Sequence, residues 1–165
     1  MAINCPAKEM TMNEAFQRPS LGTAVYYRDP GAALDWLEKA FGFKRQFVVT
    51  NDEGRVCHSE MRFGDGYLMV CSQWPDLPWT SPLSVDGRNT QSIHVQLQDG
   101  IDAHCERALA AGAVIVRELA DQFYGDRVYA VRDPEGHVWS FGQTVRDVSR
   151  EEAERASGLK IDGWI

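Results

Sequence analysis

The chain has 165 residues, 44% of them hydrophobic and 25% charged, with a formal net charge of −7. This is the make-up of an ordinary globular domain, or of two small halves sharing one core. The acidic balance and the lack of any basic run speak against a nucleic-acid partner, whose phosphates would be repelled.

No apolar run approaches the length that spans a bilayer, so no membrane partner is expected. The start, MAINCPAKEMTMNEAF, shows no apolar segment behind a basic one. No secretory signal is therefore read there, and a cytoplasmic protein is the plain expectation. Cys5, Cys57, Cys71 and Cys105 show no C-x-x-C spacing and are expected as free thiols.

Residues 1–19 read as an N-terminal extension and residues 20–74 as a first unit. The run Ala24 to Tyr27 is aromatic and β-branched, hence a strand. Asp29 offers an acceptor to free helix N–H groups, Pro30 fits the first helical position, and Gly42 can end the helix in the left-handed conformation. Between them Leu34, Leu37 and Phe41 form one apolar face. FKRQFVVT, VCHSEMRFG and GYLMVCS follow as three strands separated by NDEG and GDG turns.

Residues 75–90, rich in Pro, Ser and Trp, read as a surface connection. Residues 91–144 then repeat the order: SIHVQLQ as a strand, DGIDAHCERALAAGA as a helix closed by Gly112, VIVREL as a strand, and DRVYAVR with HVWSFGQ as a pair joined by DPEG. In the tail, residues 145–165, Ser149 and Glu152 have capping-box spacing and Gly158 is the stop of a short helix. A shift of 70 places Asp29 on Asp99, Gly42 on Gly112, Arg62 on Arg132 and Gly66 on Gly136, which marks the two units as an internal repeat.

With YYRDPGAALDWLEKAFGF, DAHCERALAAGA and YAVRDPEGHVWSF in these places, residues 20 to 144 resemble the vicinal oxygen chelate superfamily. That group holds glyoxalase I, the bleomycin-resistance proteins and the extradiol dioxygenases. QSIHVQL followed by DAHCERALAAGA is similar to its bleomycin-resistance-like or PhnB-like branch. The resemblance implies an α+β fold: tandem βαβββ units forming a curved, eight-stranded cup, with helices outside, a ligand site within, and a homodimer as the usual assembly.

It also implies where metal ligands would stand. Metal-using members place His or Gln on the first strand of a unit and Glu on the last. Carried over, these positions are Gly22 and Ser92, about seven residues before the capping aspartates Asp29 and Asp99, and Val70 and Ser140, four after the turn glycines. Gly and Val have no ligand atom, and a serine hydroxyl is a poor ligand for a divalent ion. No metal and no cofactor are therefore expected. If a metal were present, His58, Glu60 and His94 have suitable ligand types, since His58 and Glu60 share one strand face. The bland alternative puts that pair on an exposed sheet face.

Ser92, His94 and Gln96 alternate onto one face, so all three enter the cup if one does, and with Ser140 they are candidate ligand contacts. Arg127 can clamp a carboxylate or phosphate, or tie down its own loop through an Arg–Asp pair. Tyr124 can stack or donate a hydrogen bond, or simply pack. Trp74 and Trp79 in the connection either line a cleft or bury area. His104 and His137 are expected in solvent, Trp139 in the core, Trp36 against a partner unit, and Trp164 docked or at a dimer contact.

Three functions fit this reading. The first is a metal-independent protein that holds a small organic molecule, aromatic or cationic, in the cup. The second is an enzyme of lyase, isomerase or dioxygenase type with displaced ligands and His94 or Glu60 as a general base. The third is a dimeric scaffold or regulatory module.

Overall fold

The computed structural model describes residues 18–164; Cys5 and nearly all of the N-terminal extension lie outside them. Eight strands and three helices follow one another twice over as βαβββ, with one helix left over. The first unit comprises β1 (Thr23–Tyr27), α1 (Pro30–Phe41), β2 (Lys44–Thr50), β3 (Val56–Phe63) and β4 (Gly66–Ser72). The second comprises β5 (Ile93–Gln96), α2 (Ile101–Ala110), β6 (Val114–Asp121), β7 (Asp126–Arg132) and β8 (Val138–Thr144), and α3 (Arg150–Ser157) closes the chain. The connection between units carries a short 3-10 turn, Pro82–Val85.

The eight expected strands are divided into two mixed sheets of four, ordered β1-β4-β3-β2 and β5-β8-β7-β6. In each, the first strand runs parallel to the last and the remaining pairs are antiparallel. The strands β1 and β5 are therefore edges, one per sheet. Among the described residues no helix is long and apolar enough to cross a membrane.

The local signals for α1 act as their chemistry requires. Asp29 Oδ1 accepts from the Ala32 N–H at 3.0 Å, Pro30 opens the helix, and Gly42 closes it at φ 80°. The start of α2 departs from the repeat: Asp99 does not cap it. Gly100 precedes the helix at φ 71° without a side-chain cap, and the first N–H, that of Ile101, donates to Gln143 Oε1 of β8 at 2.9 Å. An orphan helix donor is satisfied here by a long-range side chain in place of a local one.

One apolar core serves both units. Phe41 of α1 packs against Trp139 and Phe141 of β8, with ring centroids 5.2 and 4.7 Å apart, and Leu34, Leu37, Leu68 and Val70 join Ile101, Tyr129 and Val131 in the same cluster. Trp36 is used inside the chain, its ring edge-on to Phe41 and its N–H donating to the Ala111 carbonyl at 2.8 Å. Trp164 docks on its own chain through the Val148 carbonyl.

The DPEG turn clasps the two units together. Asp133, 4% exposed, accepts from the Tyr27 hydroxyl at 2.6 Å, from Trp139 Nε1 at 3.0 Å, and from the backbone N–H groups of Glu135 and His137. Glu135 in turn accepts from the Arg28 and Asp29 N–H groups at the entrance to α1. A buried carboxylate is tolerable because it is surrounded by donors.

Two histidines expected in solvent are buried. His104 contacts the Tyr129 hydroxyl at 2.6 Å and the Phe41 carbonyl at 3.0 Å. His137 contacts the Tyr26 carbonyl at 3.0 Å and packs edge-on to Tyr27. Polar rings at the junction of two units find partners in the other unit, which sequence neighbours do not show.

Candidate functional site

Strand alternation decides which side chains leave the core. Val25, Tyr27, Leu68, Val70 and Ser72 are buried against the helices, so Ala24, Tyr26, Tyr67, Met69 and Cys71 take the opposite face. Val70 is thus a core residue and does not face the cup. Its place is taken by Met69, which lies opposite Ala24 and Glu60.

The cause is one residue of turn length. Four residues separate the paired Arg62 and Tyr67, whereas five separate the paired Arg132 and Val138. In the second sheet Ser140 does take the face opposite the core, beside His94 and Ala130.

The open edge of β5, the start of β1 and the turn from β3 into β4 wall a cleft of about 530 Å³. Its rings come from Phe43, Phe63, Tyr67 and His94, and its polar rim from Ser92 and Gln96. Among the described residues of the lining, Asp65 is the one carboxylate. Gly22 lines the cleft, and a Cβ there would lie 2.4 Å from the far end of the Tyr67 ring, so a larger residue would need that ring to turn aside. The ring occupies the space into which a side chain from the first-strand position would project.

A chain of hydrogen bonds holds His94. Gln96 Nε2 donates to Asp126 Oδ2 at 3.4 Å and to Thr144 Oγ1 at 3.3 Å, which turns the amide oxygen toward His94 Nε2 at 3.1 Å. Nε2–H then donates to that oxygen, leaving Nδ1 to accept from the Ser140 hydroxyl at 3.2 Å. The ring lies over Gly142, where a Cβ would meet it at 3.1 Å. Both nitrogens of His94 are thus engaged, and the residue lines the cleft.

An adjoining cleft of about 670 Å³ shares Gly22, Thr23, Gln91 and Ile93. Trp79 lines it, half exposed, and stacks on Tyr26 at 5.6 Å and 10°. Trp74 lies apart from both clefts, with the Arg55 guanidinium 4.2 Å above its ring. Arg127 is also outside, bonded to Asp102 of α2 at 2.9 Å and Asp121 of β6 at 2.8 Å. These carboxylates hold its guanidinium well above the ordinary value. Tyr124 packs edge-on to Phe123.

His58, Glu60 and His94 do not form one cluster. The first two belong to β3 of one sheet, and His94 is engaged in the other. Among the described residues no group of three His, Cys, Asp or Glu side chains is placed to hold a metal ion. Nor is the Glu60 pair an exposed face: Glu60 is 6% exposed and accepts from Arg18 Nε and Nη2 at 2.8 to 3.1 Å. His58 Nδ1 meets Cys71 Sγ at 3.3 Å. Burial pushes the Cys71 thiol up, which keeps it protonated and a poor nucleophile.

Phe43, Phe63, Tyr67 and Arg18 escaped the sequence reading. The hairpin register could have found the first two, since Lys44 pairs with Arg62 and so brings Phe43 beside Phe63, 5.2 Å between centroids.

The family model described as Glyoxalase/Bleomycin resistance protein/Dioxygenase superfamily matches residues 21–141. A Mycobacterium bovis protein known only as uncharacterized is 34% identical over 148 residues, 88% of this chain and 96% of its own. TioX from Micromonospora sp. ML1 is 33% identical, with a TM-score of 0.61 over 79% of this chain and 100% of its own. TnmS3, an antibiotic binding protein from Streptomyces sp. CB03234, shares the fold at 20% identity, with a TM-score of 0.57 over 76% of this chain and 96% of its own. The repeated βαβββ units, the seam between their first strands and a family match across both units lead to one conclusion: the chain belongs to the glyoxalase/bleomycin resistance protein/dioxygenase superfamily.

Proposed function

We propose that this protein binds a small, flat, aromatic organic molecule between β1 and β5 without a metal, as a bleomycin-resistance-like member of its superfamily. The observation that carries the reading is the lining of the 530 Å³ cleft, whose four rings come from two units that only the folded chain brings together. A cleft of this size with a few fixed polar groups is of the kind that encloses a drug-sized ligand. Ser92, Gln96 and the Ser140–His94 pair supply the orienting polar edge, and Trp79 on Tyr26 extends the aromatic surface.

The four cup positions hold Gly22, Met69, Ser92 and Ser140, a donor set without imidazole or carboxylate, which supports binding by shape over coordination. The antibiotic-binding neighbour TnmS3 supports the same class of ligand. A homodimer belongs to this proposal, supported by the apolar side chains that the sheet-edge strands expose: Phe47, Val48 and Val49 on β2, Val114 and Val116 on β6. A cytoplasmic setting belongs to it too, in keeping with the free thiols Cys57, Cys71 and Cys105.

The test is a thermal-shift panel of aromatic antibiotics, bleomycin among them, and aromatic metabolites, each with and without zinc and nickel. At least one compound is expected to raise the melting temperature in the absence of metal, and Phe63→Ala to weaken its binding about tenfold or more. Stabilisation only when metal is added, or by none of the panel, overturns the proposal.

A further inference from the structure

Glu60 is a buried carboxylate on the face of its sheet that the helices leave uncovered, and what neutralises it comes from outside the sheet. Arg18, four residues before Gly22, lays its planar fork across both Glu60 oxygens at 2.8 to 3.1 Å. Its guanidinium carbon sits 6.0 Å from the centroid of the Tyr67 ring. His58 Nε2 is 3.8 Å from the same carboxylate.

The two partners are unequal. Glu60 is anchored in the middle of β3, with its side chain 8% exposed, whereas the Arg18 side chain is 53% exposed and stands in a stretch that is neither helix nor strand. Tyr67 joins this pair to the cleft, since the ring that receives Arg18 also lines the wall beside Gly22.

The geometry points to a cation site in which Arg18 is a built-in occupant: Glu60 and Tyr67 form a receptor for a flat guanidinium or amidinium, and such a ligand entering past Gly22 displaces Arg18. This deepens the proposed binding function and rests on it. A carboxylate fork selects a planar cation with paired donors, and the ring face adds attraction for its charge. The exchange replaces one guanidinium by another of the same shape, so the fork on Glu60 and the charge over Tyr67 are re-made by the ligand. The cleft assists because Asp65 puts a carboxylate in its lining, with no Lys or Arg there among the described residues, which favours cations on approach.

Benzamidine, a flat aromatic amidinium, and benzamide, its neutral counterpart, are titrated into the full chain and into Arg18→Ala and Glu60→Gln by calorimetry. Arg18→Ala is expected to bind benzamidine about tenfold tighter than the unaltered chain, with benzamide unaffected, and Glu60→Gln to abolish the preference for the cation. Benzamidine bound no better by Arg18→Ala, or a preference that survives in Glu60→Gln, overturns the assignment.

Should Arg18→Ala not unfold cooperatively, the Arg18 Nε–H resonance of the unaltered chain decides. Its shift toward the free-arginine position as benzamidine is added supports displacement, and a resonance unmoved at saturation refutes it. A positive antibiotic panel together with an unmoved resonance removes the Arg18-occupied cation site and leaves the cleft reading standing. A silent panel with displaced Arg18 does the reverse.

Discussion

His104 shows how a single residue can be legible by position and misread by type. It lies on the buried stripe of α2 with Ile101, Cys105 and Ala108, a spacing that would be called core for any apolar residue. Burial lowers its imidazole to about 4 from the usual 6.5, a cost only partly offset by the bond to the Phe41 carbonyl. The unfolded chain therefore takes up this proton first as the solution is acidified. Its contribution to stability is complete above about pH 6.5 and is lost as pH falls toward about 4. The urea midpoint is expected to drop between about pH 7 and about pH 5, and His104→Gln to flatten that drop; an unchanged profile in the variant would refute the assignment.

Asp133 is the other residue with an outsized role, because four donors converge on it. Asp133→Ala leaves the Tyr27 hydroxyl and the Trp139 N–H buried without an acceptor, at a cost of about 3 kcal/mol. Denaturant unfolding measures it, and a loss under about 1 kcal/mol would show that the clasp adds little.

At the scale of elements, what was readable was what is local. The α1 cap and stop, and Ser149 accepting from the Glu152 N–H at 3.2 Å to open α3, depend on residues within one turn of each other. The start of α2 depends on Gln143, 42 residues away, and the facing of β4 on a turn one residue shorter than its repeat counterpart. That single deletion moves Val70 into the core and Met69 out of it, since side chains alternate with a period of two.

Gly125 belongs to this scale as well. At φ 101° it accepts from the Val145 and Arg146 N–H groups while its own Cα approaches the Arg146 carbonyl so closely that a Cβ would lie 2.1 Å from the oxygen. Gly125→Ala is expected to cost about 3 kcal/mol or more and to loosen the β6–β7 turn. Hydrogen exchange that remains slow at residues 122–126 in the variant would contradict this.

For the molecule as a whole, the shared core predicts one cooperative transition despite the internal repeat. Phe41 fills its space only with Trp139 and Phe141 from the other unit present. A fragment of residues 20–74 would expose that ring together with Leu34 and Leu37, and is expected to show no cooperative unfolding by circular dichroism. A folded, two-state fragment would mean that each unit carries a sufficient core of its own.

From residue types and spacing alone came the two βαβββ units and the face shared by Ser92, His94 and Gln96, because caps, turns and alternation are short-range properties; the family came from the resemblance of the motifs in that order. Tertiary structure alone decided that β1 and β5 border one cleft, that Tyr67 fills the space above Gly22, that Arg127 is tied to Asp102 and Asp121 away from the site, and that Arg18 reaches Glu60. Each of these joins residues far apart in sequence, and such contacts depend on exact turn lengths and on which open edges the packed helices bring together.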